Sequence, residues 1–245
     1  MIIEYHQPAT LEEALRLLER TTPRTIPVGG GTSVVHRKDD VAVVDLKHLG
    51  WDYLQVGSDS IKAGSMVKVR QLESIDGFIY WLPVEGPRHL QNTATLGGAL
   101  MRADGRSVLA TALLAYDAAM VWEPGELALR LGDWFPQRGT FKQANLIKEI
   151  TWNPKVRFGM EFIGRSPQDT PMLIVAMARW SSGRTRIVVG GFGNAPKLAM
   201  DGPSINGFEA AVDNALRDSG DQWASKEYRV AAGKVLARRL MAELE

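Results

Sequence analysis

The chain has 245 residues, 45% of them hydrophobic and 23% charged, and its 29 basic and 28 acidic side chains leave a net charge of +1. A balance so close to neutral offers no field for nucleic acid or an anionic membrane, and the length suits one large domain or two modest ones. Cysteine is absent, which excludes disulfides, thiolate nucleophiles and any iron–sulfur cluster held by this chain's own cysteines. The opening MIIEYHQPAT lacks the basic and long apolar regions of a secretion signal. No apolar run approaches the length of a membrane-spanning helix, so a soluble, cytoplasmic chain is expected.

The elements alternate from the start. MIIEYH reads as a short strand closed by Pro8. Thr10 with Glu13 forms a T-x-x-E capping box, and Leu11, Ala14, Leu15 and Leu18 mark one helical face. RTIPVGGG is a strand running into glycines. VAVVDL, from Val41 to Leu46, is the near-continuous β-branched run of a strand buried on both faces. DSIKAGSMVKVRQLE gives a strand, a break at Gly64 and a short helix start. IDGFIYWLPVEGPRHLQ dissolves into Gly, Pro and aromatics and is expected to be a connecting loop. SVLATALLAYDAAMV, from Ser107 to Val121, is apolar almost all round, the mark of a helix inside the fold.

A second region begins near Leu146, and the expected division is 1–150 and 151–245. LIKEITWNP is a strand ended by Asn-Pro. PMLIVAMARWSSGRTRIVVGGFG reads as a hairpin with a Ser-Ser-Gly turn. The tail is helical in GFEAAVDNALRDS and EYRVAAGKVLARRLMAELE, the latter with Val230, Val235, Leu236 and Leu240 near one face.

The chemistry gathers at glycines. Three in a row after a strand cost folding entropy, so something must require positive φ or a bare backbone there. Gly29-x-Gly31 followed by a strand ending in Asp45 imitates a dinucleotide-binding fingerprint. However, the third glycine position is Val34, and only about nine residues separate Gly31 from Val41, too few for a helical crossover. A hairpin-like or looped connection is what the spacing allows. A P-loop is excluded because no Lys-Ser/Thr follows. What remains is an anion-binding concavity of successive backbone N–H groups, and TLGG at Thr95 to Gly98 supplies a second candidate. A plain tight turn is the competing reading for each.

These segments resemble the flavoprotein (medium) subunit of the molybdenum hydroxylases, the group of carbon monoxide dehydrogenase and xanthine dehydrogenase, whose FAD domain is of the vanillyl-alcohol-oxidase/PCMH type. GGGTSV at Gly29 to Val34 matches the family's A-G-G-T-S-L turn, QNTATLGGAL its R-N-v-a-T-l-G-G-N-l, and LLAYDA its buried LLALDA helix. VVDLKHL, IKAGSMVKVRQLE and the closing EYRVAAGKVLARRL also match, in the family's order along almost the whole chain. The resemblance implies an α+β fold: two α/β subdomains gripping extended FAD, then a C-terminal sheet-and-helix domain. It carries pyrophosphate roles to Gly29, Gly30, Gly31, Thr32 and Ser33, entered from Val28, and to Thr95, Gly97 and Gly98. Asp104 matches the first acidic or hydroxyl position of the family's a-n-a-s/d-P-a-x-D stretch.

The departures are Gln91 for the family's Arg, Ala99 for Asn, Gly105 for Pro and Val108 for the acid that contacts the flavin. The loop from Ser74 to His89 is short and expected to lack a helix. Arg102 and Arg106 are new charges able to pair with phosphate. The four histidines, His6, His36, His48 and His89, lack metal-ligand spacing. Ser33 and Ser65 lack a nucleophile-elbow context. The seven tryptophans are read as core and interface anchors rather than a cofactor box, with Trp81 and Trp122 near the proposed crevice, and Arg229, Lys234, Arg238 and Arg239 form a basic face of the last helix, solvated or docked on a partner.

Two functions follow. As an electron-transfer flavoprotein, the chain would pass electrons from an iron–sulfur small subunit, fed by a molybdopterin large subunit, to NAD or a quinone. FAD then carries the chemistry, and a homodimer is allowed when the chain is isolated. The alternative is a flavin-free structural or assembly subunit that retains the fold.

Overall fold

The computed structural model describes residues 1–34, 38–142, 144–166 and 169–244; His36 lies outside them. In chain order the elements begin with β1 (Ile2–His6), α1 (Leu11–Leu18), β2 (Thr25–Val28), β3 (Val41–Asp45), β4 (Leu54–Val56) and β5 (Ile61–Gly64). Then come α2 (Phe78–Trp81), α3 (Arg88–Thr93), α4 (Leu96–Arg102), α5 (Val108–Ala115), β6 (Ala119–Glu123), β7 (Leu127–Arg130) and α6 (Leu131–Trp134). The rest are β8 (Leu146–Trp152), β9 (Arg157–Ile163), β10 (Leu173–Arg179), β11 (Thr185–Gly190), β12 (Lys197–Gly202), α7 (Phe208–Ala215) and α8 (Lys226–Leu244).

They form two compact units that interleave in sequence. One comprises Met1–Ile75, Arg88–Arg102 and Ala119–Thr151, the other Asp76–Pro87, Ala103–Ala118 and Trp152–Glu245. The sequence division near residue 150 therefore differs from the spatial one in two segments, 76–87 and 103–118, which cluster with the C-terminal strands.

In the first unit β3 is the middle of a three-stranded sheet, parallel to both β1 and β2. All five of its residues are buried, as the unbroken apolar run requires. The connection from β2 to β3 is therefore looped rather than hairpin-like, and no described residue in it is α-helical. Asp45, the mimic of a ribose-binding acid, accepts from Lys47 N at 3.0 Å and from the Tyr5 hydroxyl. It is spent on its own chain, which is consistent with setting aside a dinucleotide fingerprint. Thr10 caps α1 by accepting from Glu13 N at 3.3 Å, and Ala14 and Leu18 bury that helix against Val44 and Leu46. The second sheet has the order β4-β5-β8-β6-β7. Trp122, Trp134 and Phe141 pack into one aromatic cluster there, with Phe141 4.5 Å from Trp122 between ring centres.

The second unit is a four-stranded antiparallel sheet in the order β12-β11-β10-β9. The Ser-Ser-Gly turn joins β10 to β11 as expected, with Gly183 at φ +87. Leu173, Val175 and Met177 pack with Leu236, Leu240 and Met241 of α8. The alternate residues Ile174, Ala176 and Ala178 are also fully buried, because α5 packs on β10 and β11 as well. All eight residues of α5 are buried.

Several expectations are corrected. The segment expected to be a connecting loop carries α2, α3 and a 3-10 turn at Leu82–Glu85. Gly77 at φ +82, Pro83 and Pro87 cut it into turns too short to show a helical period, while Phe78 stacks on Trp152 at 5.9 Å. The buried helix ends at Ala115, because Asp117 takes φ +57 and Ala119 begins a strand. In α8, Val235 faces solvent and Arg229 is fully buried. Arg229 donates to Met172 O at 2.7 Å and to both oxygens of Asp221 at 2.9 Å. Lys234, Arg238 and Arg239 pair with Asp213, Glu209 and Glu161, so the basic face is neutralised by this chain.

Glu85 caps α5, accepting from Ser107 Oγ at 2.7 Å and Leu109 N at 2.9 Å. Its stem is partly exposed, but its carboxyl is enclosed; burial pushes the pKa up to about 7 against the pull of those hydrogen bonds. The unfolded chain titrates near the ordinary 4.5 and so loses this proton first as pH rises. The cost of a buried carboxylate is absent below that value, grows as pH rises through about 7 and is complete above it, removing up to about 3 kcal/mol. Urea unfolding at a series of pH values is expected to show this fall, and Glu85→Gln to flatten it. An unchanged slope in the variant would remove Glu85 as the cause.

Candidate functional site

A cavity of about 280 Å³ opens within the first unit. The end of β2 brings Val28, Gly29, Gly31 and Ser33 to it, α4 brings Gly97, Gly98 and Arg102, and Ser65 and Met66 follow β5. Thr95 and the stretch Phe141, Lys142, Asn145, Leu146 and Ile147 complete the wall. Of the residues singled out in the sequence, Val28, Gly29, Gly31, Ser33, Thr95, Gly97 and Gly98 line one cavity. Gly30 and Thr32 belong to the same turn without lining it. Asp104 is in the second unit, exposed, and accepts from Arg106 N at 2.8 Å. Trp81 and Trp122 are buried and do not line it.

The glycines have packing reasons. A Cβ on Gly30 would meet Thr93 C at 2.7 Å and Ala94 Cα at 3.0 Å, with the Thr93 carbonyl oxygen closer still. One on Gly29 would press into the Thr95 side chain, and one on Gly97 would lie 2.7 Å from Ser65 Cβ. Gly31 is different: it takes φ +71 beside open space. The close approach of the 29–31 turn to the 93–98 segment therefore dictates most of these residues, whether or not a ligand is present.

The backbone donors distinguish the two turns. Among the described residues, the N–H groups of Gly30, Gly31, Thr32 and Ser33 have no acceptor. At the second turn Leu96 N donates to Val67 O at 2.8 Å, Gly97 N to Ser65 O at 2.8 Å and Gly98 N to Thr95 Oγ1 at 3.3 Å. TLGG is thus the first turn of α4 stitched to the β5 segment, not a second cradle of free donors. A row of unused donors remains on one side only.

Charge supplies the rest. Arg102 and Lys142 line the cavity, and no acidic side chain does so among the described residues. Neither cation has a hydrogen bond from its side chain or an ion pair with any described residue. Arg106 is not available: it donates to Thr170 O at 2.8 Å and Pro171 O at 3.0 Å, and lies over Trp223. The sequence missed Lys142 because nothing near it in the chain carries a motif. Free N–H donors, a hydroxyl at Ser33 and two unpaired cations around a mostly apolar cavity are a donor set for a phosphate-bearing cofactor, and a diphosphate fits it.

Residues 1–152 match the family model described as the FAD binding domain in molybdopterin dehydrogenase. The chain belongs to that family. FAD is accordingly its cofactor, and this molybdopterin dehydrogenase FAD-binding chain is a component of oxidoreductases of the molybdenum hydroxylase type. It is 25% identical over 266 residues to the uncharacterized protein YgfM of Escherichia coli K12, covering 100% of this chain and 97% of that one. Its fold matches a chain of the carbon monoxide dehydrogenase of Hydrogenophaga pseudoflava with a TM-score of 0.77 at 16% identity, covering 100% of this chain and 97% of that chain. It also matches quinoline 2-oxidoreductase of Pseudomonas putida 86 with a TM-score of 0.74 at 17% identity, covering 98% and 96%. These likenesses show the α+β fold expected of the PCMH-type flavoprotein.

Proposed function

We propose that this chain is the electron-transfer flavoprotein of a multi-subunit molybdenum dehydrogenase, taking electrons from an iron–sulfur subunit and passing them to NAD or a quinone. FAD, when bound, supplies reversible hydride and electron transfer. This chain's residues bind and orient it: Gly31 and Ser33 offer backbone donors to the diphosphate from the turn that Gly30 and Thr32 complete, while Val28, Gly29, Thr95, Gly97 and Gly98 shape the wall. Asp104 is carried as a cofactor contact on the family resemblance alone. No side chain is needed as acid or base. The unclaimed N–H groups beside a cavity whose described lining holds no acid are the observation that carries this reading. Residues 1–150 serve as the FAD-binding domain and 151–245 as the C-terminal domain.

The chain's lack of cysteine fits an iron–sulfur cluster carried by another chain and supports assembly with iron–sulfur and molybdopterin subunits. A cytoplasmic location accords with that company; no helix among the described residues is long and apolar enough to cross a membrane. The test is a visible spectrum of the purified protein with and without added FAD, and identification of any cofactor released by acid. Flavin bands with FAD in the supernatant are expected. A colourless protein that refuses added FAD would overturn the reading in favour of a flavin-free structural subunit.

A further inference from the structure

We infer that Arg102 and Lys142 form a two-cation clamp that neutralises the diphosphate of the bound dinucleotide in the cavity they share with the glycine turn, an inference that rests on the FAD reading above. The need arises from the hydrogen-bond inventory. Two backbone cradles would suffice to hold a diphosphate without lysine or arginine, but Leu96, Gly97 and Gly98 have already spent their N–H groups on Val67, Ser65 and Thr95. Of the two turns, only the first keeps backbone N–H groups without a described acceptor, those of Gly31 and Ser33 at the cavity wall among them. The charge must come from side chains, and the two cations on the described wall are Arg102 and Lys142.

What sets them apart is that both line the cavity and neither is spent on a carboxylate of a described residue. Arg20, Lys148, Arg184, Arg186, Arg229, Lys234, Arg238 and Arg239 all face a carboxylate. Arg102 and Lys142 face none among the described residues. Lys142 is also held in place. Lys142 N donates to Asn145 Oδ1 at 2.9 Å and Asn145 N returns to Lys142 O at 3.0 Å, closing the turn. Phe141, immediately before it, is wedged against Trp122 and Trp134. Arg102 ends α4, whose first turn is fixed by the Gly97 contact with Ser65. Two unit charges match the two that a diphosphate diester carries, and a wall without carboxylates leaves their attraction uncancelled.

The experiment measures FAD affinity by titration of the full chain at low and high salt, for wild type, Arg102→Gln, Lys142→Gln and the double variant. Each single change is expected to weaken FAD about tenfold, or about 1.4 kcal/mol, and the double variant about a hundredfold. The salt dependence should flatten with each charge removed, because exposed ion pairing is screened by salt. Arg102→Lys and Lys142→Arg should restore most of the affinity. Unfolding midpoints without FAD are expected to stay nearly unchanged, since neither side chain has a hydrogen bond or ion pair with a described residue. A double variant that binds FAD as tightly as wild type, with the same salt dependence, overturns the clamp while leaving the flavoprotein reading intact. A wild type that binds no FAD overturns both.

Discussion

Gly30→Ala is expected to yield a chain that unfolds at least about 3 kcal/mol more easily and no longer takes up FAD. The added carbon would sit 2.7 Å from Thr93 C and 3.0 Å from Ala94 Cα, and both are backbone atoms that cannot rotate away. The neighbouring chain is also tied down. Lys68 Nζ donates to Thr93 O at 3.1 Å, and Val69 N donates to Ala94 O at 3.0 Å. Relief therefore requires moving a stitched segment, which would pull the 30–33 donors away from the cavity. Gly31→Ala is the control: its Cβ meets nothing within 4 Å, so only the positive φ is penalised, by about 1–2 kcal/mol. Chemical denaturation and FAD titration of the two variants check the order. Equal losses would mean that close approach at Gly30 is not the governing term.

The glycines illustrate how far a sequence can be read. Their unusual density marks the turn where FAD binding is proposed, but it does not give the reason for each glycine. Bare backbone at Gly29, Gly30 and Gly97 is demanded by contacts with Thr95, Thr93 and Ser65, each tens of positions away in the chain. A one-dimensional pattern shows that a Cβ is excluded, not what excludes it. Which N–H groups stay free is equally non-local, since the carbonyls that claim Leu96 and Gly97 come from Val67 and Ser65.

Periodic segments were legible for physical reasons. β3 declares itself because burial on both faces removes any polar alternation, and α1 because its cap and apolar stripe agree. The segment from Gly77 to Thr93 was illegible because its helical pieces span six residues or fewer. Its aromatic burial is paid back only by distant partners such as Trp152. Lys142 was overlooked for a similar reason: its place is set by a turn of four residues and by an aromatic cluster assembled from three separate segments. Gly105 shows the reverse case. It departs from a family proline, and its N–H donates to Gly193 O at 3.0 Å, which proline cannot do. A Cβ there would also lie 2.6 Å from Phe192 C. The substitution belongs to the packing of the second unit.

Val108→Asp, which restores the acid found in the family, is expected to destabilise the chain by about 3 kcal/mol and to bring no gain in FAD affinity. Two effects oppose each other. A carboxylate in the first turn of α5 gains up to about 1 kcal/mol from the helix dipole. Against this, Val108 is fully buried, and the N-terminal donors of α5 are already taken by Glu85, which accepts from Ser107 Oγ and Leu109 N and is hydrogen-bonded by the Val108 backbone. A second carboxylate would be desolvated beside the first, with no donor left for it, so burial wins. Glu85→Gln in the same chain should recover part of the loss, because it removes the like charge while keeping an acceptor for the cap. Thermal unfolding of the single and double variants, with FAD titration of each, decides the matter. Tighter FAD binding by Val108→Asp at unchanged stability would mean that the position faces the cofactor and that the chain's site has been weakened. Lost stability with partial rescue would mean that Glu85 has taken over the N-terminus of α5 and that valine is the residue this packing requires.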